Sequence, residues 1–114
     1  GDRRLYHASA VLVGNLLTVL ACDAVALLRA AGVAEQDARK VWLPLAERSL
    51  HNAPLGLDRA LTGPIARGDT TTLRAHLQAM RSAGLSELAR VYEGLLEHAS
   101  SALEEDRRRD SNGE

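Results

Sequence analysis

The sequence predicts an all-α protein of four main helices, and three observations carry that prediction. Leu and Ala dominate the apolar residues, Ile65 is the lone isoleucine, Phe is absent and aromatic residues make up 3% of the chain. β-branched and aromatic side chains are the ones that strands favour, so the usual material for a sheet is scarce. Apolar residues also recur at three- and four-residue spacing between clear stops at Gly32, at 54–68 and at Gly84. Finally, 114 residues allow one domain with a real but modest core.

The first helix is expected over residues 5–31, with Gly32 as its stop. From Ala8 to Cys22 it carries no charge. About 20 apolar residues suffice to cross a bilayer, but Asn15, Thr18 and Asp23 interrupt this run, and His7 and Arg29 flank it. The reading is therefore a central buried helix, or one covered by a partner chain. At about 100° per residue, His7, Val11, Gly14, Asn15 and Thr18 share one arc of the helix. Two explanations stand for that arc: a ligand-facing stripe, or polar groups bonded locally, with Thr18 turned back onto its own helix. Cys22, the only cysteine, allows no internal disulfide and reads as a buried, reduced thiol in a cytoplasmic setting. No signal peptide is visible at the start of the sequence.

The second helix is expected over 34–53, with Ala38, Val41, Leu45 and Leu50 as its apolar positions. Pro44 lies inside it and should kink it near Leu43. Trp42, beside that proline, reads as core or interface. Residues 54–68 read as a loop with one short turn around 58–61. A third helix starts at Asp69, a good N-cap, and buries Leu73, Leu77 and Met80. Gly84 ends it. Ser86 is expected to cap a fourth helix with a stripe of Leu88, Val91, Leu95, Ala99 and Leu103. The helical domain thus spans 1–103, and the charged tail 104–114 is expected to be disordered.

Several function classes find no support. A formal net charge of −1 offers no electrostatic attraction to nucleic acid or an anionic membrane, so neither is expected as a partner. His7, His51, His76 and His98 show no HxxxH or HExxH spacing, so no metal is expected. No serine elbow and no glycine-rich phosphate loop between strand and helix occurs. The "RGD" at 67–69 is read as coincidence, because Asp69 is engaged as a helix cap.

The loop "ALTGPIARGD" at 60–69 is the most specific stretch, and its residues admit two readings. Gly63, Pro64, Gly68 and Asp69 could form a purely structural turn, with Arg67 solvated or paired to Asp69. Alternatively the rigid turn presents Thr62 and Arg67 to a cleft, where the guanidinium clamps a carboxylate or phosphate. So long a connection in a small domain adds weight to the second reading, and the residues by themselves leave the two level.

Together with "YHASAVLVGN" at 6–15 and "LPLAERSLHN" at 43–52, that stretch resembles the C-terminal helical domain, itself of unassigned function, of a bacterial family of Rossmann-like NAD(P)-binding proteins. Those proteins are distantly similar to pyrroline-5-carboxylate reductase and 6-phosphogluconate dehydrogenase. The resemblance covers most of residues 5–98. It implies a fold like the 6-phosphogluconate dehydrogenase C-terminal domain, working as a homodimer beside an N-terminal Rossmann domain that holds NAD(P). By motif, His7, Asn15, Thr62, Gly63, Pro64 and Arg67 would face the substrate cleft. His7 would be a candidate proton donor or acceptor, and Asn15, Thr62, Gly63 and Arg67 would bind a small acidic substrate. No G-x-G-x-x-G motif follows a strand in these residues, so the resemblance concerns the helical half alone, which is not expected to bind NAD(P) unaided. The rival reading is a non-catalytic helical dimerisation, interaction or ligand-sensing module.

Overall fold

The computed structural model describes residues 1–113, which form six α-helices and one 3-10 turn and no strand. They are α1 (Arg3–Ala30), α2 (Glu35–Asn52), α3 (Leu57–Ala60), α4 (Gly63–Arg67), α5 (Thr70–Ser82) and α6 (Ser86–Ser111). The all-α class stands, and the four long helices are those expected from the spacing. Contacts divide the chain into two units, Gly1–Pro44 and Leu45–Glu114.

The first unit holds α1 and the opening half of α2. Asp2 caps α1: its carboxylate accepts the Arg4 amide at 2.8 Å and the Arg4 guanidinium at 3.0 Å. The helix ends as predicted, with Gly32 donating to the Arg29 carbonyl and Val33 to that of Leu28, the paired bonds of a Schellman stop. Two expectations fail here. Residues Val11–Leu16 are π-helical, so α1 has no uniform α register. No residue of α1 is buried either: Leu12, Val13 and Leu16 are 61%, 66% and 47% exposed, and Cys22 is exposed too. Of the two readings of this apolar helix, burial at the centre of this chain's own core is therefore overturned, and cover by a partner chain is the one left.

The helix α2 continues through Pro44. Ala38 is buried, while Val41, Leu45 and Leu50, expected to join it, are exposed.

The second unit carries the core. On α5 the expected stripe holds, with Leu77 and Met80 buried and Leu73 half-buried. On α6 the expected stripe holds at Leu103, which is buried, and at Leu88 and Ala99, which are half-buried; in its middle Val91 and Leu95 face out, and Ala89, buried, with Tyr92 and Leu96, half-buried, take the inward places. Both spacings suit a helix, and the packing of α5 on α6 selects one. Ser86 is the first helical residue of α6 and not its cap; that place falls to Leu85, whose side chain makes no capping bond.

Residues 54–68, expected as a loop with one short turn around 58–61, hold that turn as α3 (Leu57–Ala60) and add a second short helix that was not expected. A 3-10 turn at Ala53–Leu55 leads into α3 and then α4, and both short helices lie on α6. The charged segment from Glu104, expected to fray, continues α6 to Ser111. Ion pairs from Glu105 to Arg108 (3.1 Å) and Arg109 (3.6 Å) at helical spacing support it, and Arg107 ties it to the short helices.

Candidate substrate-facing residues

His7 and Asn15 belong to the first unit, and 62–69 belongs to the second. On α1, His7 lies in the turn before the π segment and lines a shallow open hollow of about 600 Å³ with Arg4, Val11, Leu12 and Leu16. Gly14 and Asn15 lie within the π segment itself. A π turn inserts one residue into the helical ladder, so the arc drawn at uniform spacing does not carry from His7 to Thr18. Such turns recur at functional sites because they reorient a side chain without ending the helix. Asn15 is exposed, and its side chain makes no hydrogen bond among the described residues. Thr18 takes the local reading, its hydroxyl donating to the Gly14 carbonyl at 2.9 Å. Apart from its own helix backbone, a Cβ placed on Gly14 would meet nothing within 4 Å among the described residues.

In the second unit, "TGPIARGD" builds a one-turn helix between two glycines in left-handed conformations. Gly63 has φ +73° and Gly68 φ +65°, values that strain any residue with a Cβ. Pro64, in the first turn of α4, has no amide to leave unsatisfied there. Gly68 donates to the Ile65 carbonyl and Asp69 to that of Pro64, closing α4 with a second Schellman stop. Gly63, Pro64, Gly68 and Asp69 therefore have the structural roles expected of them. Thr62 precedes α4 in extended conformation, exposed and without a capping bond.

Asp69 opens α5. It accepts the Thr72 amide at 3.1 Å and the Thr72 hydroxyl at 2.7 Å, which hold its carboxyl below the ordinary aspartate range. Arg67 adds a smaller effect in the same direction. Its guanidinium lies 3.5 Å from Asp69 Oδ2, a long contact at an exposed position. An exposed pair of this kind contributes little energy, so an incoming carboxylate or phosphate can take the guanidinium over at small cost. Among the described residues, no three His, Cys, Asp or Glu side chains gather as metal ligands.

Three polar residues escaped the sequence reading. Arg107 Nε donates to Asp58 Oδ1 at 2.7 Å, and its terminal nitrogen donates to the Ala66 carbonyl at 3.1 Å. Asp106 in turn accepts the Asp58 amide at 3.0 Å. These partners stand 40 to 50 positions apart in the chain, beyond the reach of any local spacing rule. The charge run alone had suggested a solvated tail.

Residues 1–99 match the sequence profile of the domain of unknown function DUF2520. The chain is a DUF2520 domain. No curated protein and no solved structure matches it. The DUF2520 match takes in every candidate from His7 to Asp69, whereas Asp106 and Arg107 lie beyond it.

Proposed function

We propose that this DUF2520 domain is the dimerisation and substrate-facing half of an NAD(P)-dependent oxidoreductase whose Rossmann domain lies outside these residues. One observation carries the reading: α1 leaves Leu12, Val13 and Leu16 bare around a π turn that holds Gly14 and an unpaired Asn15. A contiguous apolar surface on one long helix calls for a covering protein surface. Each such side chain contributes roughly 1.5–3 kcal/mol when fully buried. A second copy of α1 supplies a matching surface by symmetry. By length and composition α1 would also pass as a membrane span, but an asparagine and a threonine in mid-run suit a helix interface better.

The described residues form no strand–glycine turn–helix unit, so the dinucleotide belongs to the other domain and would supply the hydride chemistry. This half positions the substrate. In the second unit, Arg67 exchanges its weak contact with Asp69 for an acidic group of the substrate, and Thr62 is the candidate for orienting it by a hydrogen bond; the first unit by itself offers Asn15 as a hydrogen-bonding group and His7 as a proton donor or acceptor. The setting is cytoplasmic.

A second reading, a non-catalytic interaction or ligand-sensing module, is favoured by the occupation of Arg67 by Asp69 and of Thr18 by its own helix. The test begins with the intact mass of the native protein recovered from its own cells. A species of about twice this length or more is expected, since a nucleotide domain adds on the order of 100–200 residues, and it should bind NAD(P). Within it, Arg67→Ala should weaken substrate binding and leave the helical circular dichroism unchanged. A native species near 12.2 kDa sinks the oxidoreductase reading and leaves the module.

A further inference from the structure

The segment beyond the family-matched residues performs a task the family match does not cover. Among the described residues, Arg107 hydrogen-bonds to both short helices of the 54–68 region. Through Nε it holds Asp58, in the first turn of α3, at 2.7 Å, and through a terminal nitrogen it holds Ala66 O, near the end of α4, at 3.1 Å. Its neighbour Asp106 accepts the Asp58 amide at 3.0 Å, which satisfies an orphan donor in the first turn of α3. Such support matters because α3 and α4 are four and five residues long, far below the length at which a helix is stable by itself. Neither contains a buried residue. Ala60, Ile65 and Ala66 are only half-buried, so the polar bonds of Arg107 and Asp106 add to a thin apolar anchor in placing these turns.

We infer that Arg107 is a positioning residue: the C-terminal extension of α6 braces α3 and α4, and so fixes the segment that presents Thr62 and Arg67. The brace rests on the reading of that segment as substrate-facing only for its purpose. Its geometry stands independently. A planar guanidinium suits the task because it can donate in two directions from one rigid fork, which an ammonium cannot match.

The test is amide hydrogen exchange on the full chain, read peptide by peptide, for wild type, Arg107→Ala and Arg107→Lys. Arg107→Ala should raise exchange across 57–69 by about tenfold and leave α5 around Leu77 and Met80 unchanged, since local opening is separable from global unfolding. Arg107→Lys, able to keep one of the two contacts, should fall between the two. Unchanged exchange in 57–69 overturns the brace. So does an equal rise across α5 and α6, which would make Arg107 a general stabiliser only, and so does a lysine variant as protected as wild type. None of these outcomes depends on a ligand, so a failed brace leaves the proposed function standing, and a failed substrate test leaves the brace standing.

Discussion

The Thr72 hydroxyl donates to Asp69 Oδ2 at 2.7 Å while its amide donates to Oδ1 at 3.1 Å. One carboxylate thus caps α5 on both oxygens and still lies within reach of Arg67. Asp69→Ala should lower the melting temperature by roughly 2–6 °C, the usual consequence of losing an N-cap in a domain of this size. Asp69→Asn, which keeps an acceptor, should recover most of the loss. Thermal melts followed by circular dichroism decide it.

The same geometry fixes a pH dependence. Asp69 is held below its ordinary value of 3.8, chiefly by the Thr72 side chain and amide. A depressed carboxyl stabilises the fold above its unfolded value, and that contribution is lost as pH falls through the lower, folded value. The stability difference between wild type and Asp69→Asn should therefore hold steady above about pH 5 and shrink below pH 3.8. Asp2, lowered by Arg4 in the same way, follows the same sign at the start of α1. A difference that grows toward acid would contradict the assignment.

Gly14 separates the chain's own needs from those of a covering surface. Beyond its own helix backbone, nothing among the described residues lies within 4 Å of where its Cβ would stand, so Gly14→Ala should favour the helix of the monomer by about 0.5–1 kcal/mol on propensity. If a second copy approaches there, the same methyl should weaken self-association. Sedimentation equilibrium beside thermal melts reads both effects. Stronger or unchanged association would place the contact elsewhere on α1.

A charge at the centre of the bare face asks more directly whether α1 is covered. Leu12→Glu should weaken dimerisation at least about a hundredfold, because an unpaired carboxylate would enter an apolar contact. The exposed position of Leu12 in the single chain predicts no loss of helix. Retention of the dimer would exclude this face as its interface.

Leu103 is 3% exposed although it lies beyond the family-matched residues. Leu103→Ala should destabilise the chain by about 2–4 kcal/mol, as expected for a buried leucine in a packed site. A denaturant midpoint unchanged from wild type would show that the end of α6 contributes nothing to the second unit.

By itself the sequence determined the helical class and the four long helices. It also determined the stop at Gly32 and the Asp69 cap, because these follow from interactions a few residues apart. Leu77 and Met80 were legible for the same reason. At the candidate site, local chemistry identified the glycines, the proline and the Arg67–Asp69 contact, but not the π turn at Val11–Leu16. Gly14 beside Asn15 in an apolar run was its only trace. Tertiary structure alone decided the middle of α6, since an inward face through Ala89, Tyr92 and Leu96 and one through Val91 and Leu95 are both helical, and only contact with the helices packed on α6 chooses between them. It also turned an apparent charged tail into a brace, because Asp58, Ala66 and Arg107 meet across dozens of residues. The exposure of α1 has the same origin: periodicity marks a face as apolar, whereas what covers that face is a property of packing.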